Sequence, residues 1–295
     1  VTDEQQPVRP AGVWATAIGV ARVRALETGR EDALFRDPLA RAFATAGGLW
    51  PSSSPLPDDE VARRRRQAVS LSIVIRTKFL DDLLREASGA GVRQVVLLGA
   101  GMDSRAFRMN WPEGTRLFEV DTAAPLEFKA SVLRQERAVA RCERITVAAD
   151  LREDWPTALT AAGHDPSAPT VWIAEGLLIY LPEDAVELLL ARIGARSADG
   201  SRMGLTLGSP GAIERFGAGA APGSAASMWV SEMPDDPVSW LAGHGWEAAC
   251  HTLRERAAAY GRPVRTPPRS AEGPGGLVSA VRLPGGSRGL RYDRP

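Results

Sequence analysis

From Gly91 onward, short apolar runs bounded by turn residues alternate with stretches of helical periodicity. No other feature constrains the fold as tightly. The runs are Gln94–Gly99, Thr115–Asp121, Arg144–Asp150, Thr170–Glu175 and Met203–Leu207. Helical spacing of apolar residues falls between them at Pro125–Ala140, Trp155–Ala162 and Glu183–Arg196. Strands that are apolar on both faces, alternating with helices, build a parallel sheet covered on both sides. Two later runs, Trp246–Leu253 and Leu277–Leu283, are expected to add as neighbouring edge strands, one antiparallel to the rest. The expected fold is α/β, with a doubly wound, seven-stranded, mostly parallel sheet.

The segment before this alternation reads differently. Apolar residues recur at helical spacing from Trp14 to Leu26, from Leu39 to Ala46 after the break at Arg36-Asp37-Pro38, and over Val61–Ala87. Residues 1–12 are expected to be disordered, and "GGLWPSSSPLPDDE" (47–60) reads as a loop by composition. The chain therefore divides into an N-terminal helical extension, residues 1–90, and a sheet domain, residues 91–295. The stretch "GSPGAIERFGAGAAPGSAAS" (208–227) is too poor in large apolar side chains for a core. It is read as part of a lid insertion near 208–231.

Charge and cysteine content exclude several classes. Lys+Arg and Asp+Glu both number 36, so net charge points to neither a nucleic-acid nor a membrane partner. The run Arg63–Arg66 has no interleaved aromatic residues and reads as a solvated helix face. Two distant cysteines, Cys142 and Cys250, form no disulfide framework, and three histidines have no zinc spacing. No metal is expected. No apolar run approaches the roughly 20 residues that span a bilayer, and Val1–Arg9 lacks the apolar core of a signal peptide. A cytoplasmic protein is the expectation. Only Lys78 and Lys129 are lysines, which is ascribed to codon composition.

The first strand runs into a glycine turn, "VVLLGAGMDSR" (95–105). Gly99-Ala100-Gly101 puts bare backbone where ligands of open parallel sheets sit, beyond the carboxyl ends of the strands. Asp121 follows Gly101 by 20 residues, the spacing at which an acid reaches a ribose hydroxyl. A third glycine would let a helix present its N-terminus to a pyrophosphate; Ser104 stands there instead. This favours S-adenosylmethionine, an adenosine compound without phosphates, over a nicotinamide dinucleotide. Asp150, with the backbone N–H of Leu151 beside it, suits an adenine edge or the cap of the next helix. Glu175, in an apolar run, requires a cation nearby. The cofactor's ammonium or a structural arginine would each serve.

The blocks "RTKFLDDLL" (76–84), "VVLLGAGMDSRAFRM" (95–109), "FEVD" (118–121), "AADLRE" (148–153) and "AEGLLIYL" (174–181) resemble the leucine carboxyl methyltransferase family, closest to its bacterial O-methyltransferase branch. Order and spacing match from about Trp14 to Arg262. The resemblance implies a Rossmann-like methyltransferase fold, S-adenosyl-L-methionine as methyl donor and S-adenosylhomocysteine as product. It implies that Arg76 clamps the cofactor carboxylate from the helical cap. Gly99, Ala100 and Gly101 then lie under the methionine part, Asp121 holds the ribose, Asp150 and Leu151 contact adenine, and Glu175 lies beside the cofactor. Arg105 belongs to the same block and joins this cofactor set. Without the family blocks, Arg76 would read as a partner of Asp81 or Asp82 on its own helix.

The expected activity is methyl transfer to a carboxylate or hydroxyl of a small molecule, such as a secondary metabolite. A hydroxyl acceptor needs a base, for which His244, in "WLAGHGW", and Tyr180 are the candidates, with His251 read as structural. Trp14, Trp229 and Trp240 fall in segments expected to cover the open end of the sheet. A non-catalytic sensor or scaffold that binds the same cofactor, and a methyltransferase of protein C-terminal carboxylates, are the alternatives.

Overall fold

The computed structural model describes residues 12–50, 60–208, 213–214, 225–232, 234–263 and 276–284. At its centre are β1 (Gln94–Leu98) and β4 (Thr170–Ala174), every residue of which is buried. Central parallel strands covered on both faces are apolar on both, which is why Val95–Leu98 and Val171–Ala174 show no alternation. β2 (Arg116–Asp121) and β3 (Glu143–Ala148) extend the sheet from β1, and β5 (Arg202–Thr206) from β4, all parallel. β7 (Leu277–Arg282) pairs antiparallel with β5, and β6 (Trp246–His251) antiparallel with β7. The order is β3-β2-β1-β4-β5-β7-β6, so the chain reverses its winding direction between β1 and β4. That crevice is the topological switch point.

One face of the sheet carries α1 (Ala15–Thr28), α2 (Ala40–Ala46), α3 (Glu60–Gly89), α4 (Arg105–Arg108), α5 (Ala123–Gln135) and α9 (Leu253–Ala259). Ile18, Phe43, Leu80, Leu84, Phe107 and Phe128 share one core cluster there with Val95, Leu97, Val171 and Ile173. The N-terminal helices therefore pack into the same core as the strands. The opposite face takes α6 (Trp155–Ala161), α7 (Glu183–Gly194) and α8 (Pro237–Gly243). Their cluster includes Trp155, Leu159, Leu189, Leu190, Ile193 and Leu241 against Phe118, Val120, Trp172 and Leu205.

α5 stops at Gln135, short of the expected Ala140. Arg137 adopts a left-handed φ of 49°, and the Ala138 N–H turns back to the Leu133 carbonyl at 2.9 Å. α6 is capped by Asp154, whose carboxylate accepts from the Thr157 N–H. That role had been open to Asp150. The Gly208–Ser227 segment lies largely outside the described residues.

His164, before β4, is 3% exposed, packs beside Phe118 and Trp172, and lies 3.1 Å from the Thr170 hydroxyl. Burial, aided by Arg196, pushes its pKa from 6.5 down to about 4. The folded ring stays neutral while the unfolded chain takes up a proton below pH 6.5. Stability contributed by this site is full above that pH and is lost as pH falls towards 4. The loss should reach about 2–3 kcal/mol. Urea unfolding at neutral and acid pH checks this: His164→Phe should lose less stability than wild type across the interval, and parallel losses would refute it.

Candidate functional site

The parallel ladder carries the sequence-predicted cofactor residues to one end of the sheet. After β1, the N–H groups of Gly99 and Ala100 donate to the Val120 carbonyl at 2.9 and 3.2 Å, hooking the glycine turn onto the tip of β2. Gly99 and Gly101 have φ of 63° and 43°, in the region side chains disfavour. A Cβ on Gly99 would lie 2.9 Å from Leu177, and one on Gly101 would lie 3.0 Å from the Ala17 Cβ. The turn is thus enclosed between α1 and the segment after β4.

Asp121 closes the turn from β2. Its Oδ2 accepts the Gly101 N–H at 2.7 Å and its Oδ1 the Thr122 N–H at 2.8 Å. A carboxylate has about four lone-pair sites, so acceptor capacity remains on both oxygens. Burial raises the Asp121 pKa, against the opposing pull of these two N–H groups. Asp150, just past the tip of β3, is bound by Arg152: Nη2 lies 2.5 Å from Oδ2, and the backbone N–H donates to Oδ1 at 2.9 Å. The Arg152 hydrogen bond lowers its pKa. Leu151 beside it is buried in the core against which α6 packs.

Glu175, past the tip of β4, resolves the question of its cation. Its Oε1 meets Arg76 Nε at 3.1 Å and the Thr77 hydroxyl at 3.3 Å, and its Oε2 meets Arg105 Nη1 at 2.9 Å. Burial pushes this carboxyl up, but Arg105 and then Arg76 outweigh it and hold it below the ordinary value. Arg76 pairs across to β4 rather than with Asp81 or Asp82 on its own helix. Its guanidinium lies flat against the backbone at Gly176, where a Cβ would be 3.1 Å from both terminal nitrogens. Among the described residues Nη1 and Nη2 of Arg76 have no hydrogen-bond partner. They are the right chemistry for a carboxylate.

Arg105 does not face outward with Arg76. It is fully buried, with Nε 2.7 Å from Asp81 Oδ1 and Nη1 paired with Asp103 as well as Glu175. Arg108 completes the network with a bidentate pair to Asp81 at 2.6 and 2.7 Å. Burial pushes Asp81 and Asp103 up, and the arginines reverse this, leaving Asp103 at about 2. This network anchors α3, and with it Arg76, to the glycine-turn loop. Asp103 carries no signal in the sequence, and Asp81, read there only as a surface partner of Arg76, falls on the buried stripe of α3 with Thr77, Leu84 and Ser88.

The proposed base His244 is not brought to this end. β6 runs with β1–β5, and His244 precedes it, so its backbone lies at the amino-terminal end of the strands, where its carbonyl accepts from Arg282 at 2.6 Å. Its ring is held by Glu187 of α7 at 2.9 Å. Trp240 donates to the same Glu187 at 2.6 Å and does not cover the strand tips. Tyr180 does stand on the carboxyl side, in a 3-10 turn (Leu178–Tyr180) after β4. The Val230 N–H and the Ser231 hydroxyl bond this turn at 2.8 Å each, which places Trp229 next to it. Trp14 packs on Phe128 beside the α1 entry. His251 ends β6 on the carboxyl side, stacked edge-on to Phe79 and beside Arg256. No helix among the described residues is long and apolar enough to cross a membrane, and no group of three or more metal-ligating side chains is found among them.

Known proteins resemble the chain over most of its length. The chain is 85% identical over 282 residues to a protein of Streptomyces avermitilis, covering 96% of this chain and all of the relative. It is 82% identical, with the same coverage, to one of Streptomyces coelicolor. Both are provisionally named S-adenosyl-L-methionine-dependent methyltransferases. A crystal structure of a DUF574-family protein from Streptomyces avermitilis shares the fold, with a TM-score of 0.52 at 16% identity, covering 90% of this chain and 97% of that one. The family model for leucine carboxyl methyltransferase matches residues 17–194, a span running from the helix over the glycine turn, through Arg76, Asp121 and Glu175, to the end of α7. The chain accordingly belongs to the leucine carboxyl methyltransferase family, with the class I fold of S-adenosyl-L-methionine-dependent methyltransferases.

Proposed function

We propose that the chain transfers the methyl group of S-adenosyl-L-methionine to a carboxylate oxygen of a small molecule. The observation that carries the cofactor half is the grouping of Arg76, the glycine turn and Asp121 around the β1/β4 crevice. The two unpartnered nitrogens of Arg76 suit the methionine carboxylate. The open lone pairs of Asp121 suit the sugar hydroxyls, and Asp150 with the Leu151 N–H suits the adenine edge. The bound cofactor supplies an electrophilic methyl on a sulfonium. The protein's task is to align an acceptor oxygen with that methyl and exclude water.

The acceptor half rests on where the bases lie. His244 is at the wrong end of the sheet, His251 sits on the far side of β7 and β5 from the crevice, against Phe79 and Arg256, and Tyr180, the candidate on the carboxyl side, offers a phenol hydroxyl, a hydrogen-bond donor rather than a base. A hydroxyl acceptor would have to lose its proton to a base, whereas a carboxylate is already an anion at neutral pH. The carboxyl methylation in the family's name favours the same acceptor. The segment after β4, with Ile179 and Tyr180, and the adjoining Trp229 form the apolar side of the acceptor space.

The test is transfer of labelled methyl to the low-molecular-mass fraction of a cell extract, followed by alkali. A methyl ester hydrolyses and releases volatile labelled methanol; a methyl ether retains its label. The expected result is alkali-labile label in a small molecule. Alkali-stable label would overturn the carboxylate assignment, and label confined to protein would overturn the small-molecule one.

A further inference from the structure

Beneath the cofactor end of β2 lies a buried charge group that the methyl-transfer reading does not use. Glu119 is held by two cations. Lys129 Nζ is 2.8 Å from Oε2, and Arg144 is bidentate at 2.9 and 2.6 Å. The side chains of Lys129 and Glu119 are fully buried. One carboxylate with two cations leaves a positive charge over.

The neighbouring groups do not absorb it. Arg76, Arg105 and Arg108 match Asp81, Asp103 and Glu175 one for one, and Arg24 matches Asp37 at 3.1 Å. Asp103, which also acts on Lys129, is already matched by Arg105; the anion here without a cation in direct contact is Asp121, whose direct partners are two neutral backbone N–H groups. Glu119 and Asp121 are two residues apart on β2 and share a face of the strand, about 7 Å from one another. α5 starts at Ala123, immediately after Asp121, and folds Lys129 back along that face. Burial pulls the Lys129 ammonium down, and Glu119 and Asp103 hold it up. Burial pushes Asp121 up; the Gly101 and Thr122 N–H groups and the Lys129 ammonium pull it down, and Glu119 pushes it further up.

The residue type fits this task. Lys129 is one of two lysines among 36 basic residues. A compact ammonium can be enclosed beside a single carboxylate, where a guanidinium brings five donors that all need partners.

We propose that Lys129 is a positioning residue for the cofactor: its buried ammonium is the counter-charge of Asp121 and keeps that carboxylate an anion, able to accept both sugar hydroxyls at neutral pH. The proposal rests on the reading that Asp121 receives the sugar. A protonated Asp121 would turn one acceptor oxygen into a donor and lose half the grip.

The test is calorimetric titration of the full chain with S-adenosylhomocysteine from about pH 6 to pH 8.5. Wild type, Lys129→Met, Asp121→Asn and the double variant are compared. Asp121→Asn should weaken binding at every pH. Lys129→Met should bind several-fold more weakly than wild type at the acid end and recover towards wild type at the alkaline end, the mark of an acid limb moved up in pH. On the Asp121→Asn background the Lys129→Met change should have no further effect. A Lys129→Met profile identical to wild type, or a pH-independent loss that persists on the Asp121→Asn background, overturns the proposal. An Asp121→Asn variant that binds like wild type overturns the underlying sugar assignment, a distinct result. Should Lys129→Met not fold alone, the charge-neutral double variant decides. It is expected to fold, and failure of both to fold overturns the charge-balance account.

Discussion

Replacing Asp81 with alanine is expected to cost about 3–5 kcal/mol of folding stability, the range for removing one partner of a buried ion pair. Asp81 is fully buried and takes three close contacts from two buried guanidiniums, Arg105 Nε and both terminal nitrogens of Arg108. Without it Arg108 keeps no carboxylate within hydrogen-bonding distance, and Arg105 keeps only Asp103 and Glu175. A domain has about 5–15 kcal/mol of stability in all, so this one change threatens the fold. The neighbouring Asp82, partly exposed and paired with Lys78 and Arg85, is the control. Asp82→Ala should cost under about 1 kcal/mol, as partly exposed pairs do. Urea unfolding of both variants checks the contrast. Equal costs would mean that the network does not anchor α3 to the glycine-turn loop.

Replacing Arg76 with glutamine should separate binding from folding. Glu175 keeps Arg105 and Thr77, so the variant should fold. It loses the charged donors proposed to face the cofactor carboxylate, a loss of about 2–3 kcal/mol, or roughly 30- to 150-fold in the affinity for S-adenosylhomocysteine. Methylthioadenosine, which lacks the amino-acid part, isolates the effect: wild type and variant should bind it equally. A parallel loss for both compounds would show that Arg76 acts through the fold rather than by contact.

The sequence carried the fold class because its signals are local. β1 is apolar from Val95 to Leu98 and β4 from Val171 to Ala174, β2 ends in an acid, and the glycine turn stands between strand and helix. Each of these follows from near neighbours in the chain. The grouping at the strand tips followed from them, since parallel strands deliver their last residues to one end. His244 shows what such signals cannot carry. Two flanking glycines and nearby tryptophans describe a turn, but its end of the sheet depends on strand directions. Those are set by β7, which inserts antiparallel between β5 and β6 from 26 residues beyond His251 in the chain. The paired cations of Glu175 were half legible. The need for a cation followed from its apolar run, but Arg76 and Arg105 lie 99 and 70 residues away and meet it only in the fold. Asp81 and Lys129 left signals that local reading explains otherwise: a charge on the buried stripe of a helix reads as a surface partner of Arg76, and a lysine in a chain built almost wholly with arginine reads as codon composition.

Crystals grown with S-adenosylhomocysteine test the account most directly. The compound should lie across the strand tips from β3 to β4, its adenine at Asp150, its sugar hydroxyls on Asp121 and its carboxylate on the terminal nitrogens of Arg76. A complex with the compound elsewhere, or with its amino-acid end turned away from Arg76, would contradict the site described above.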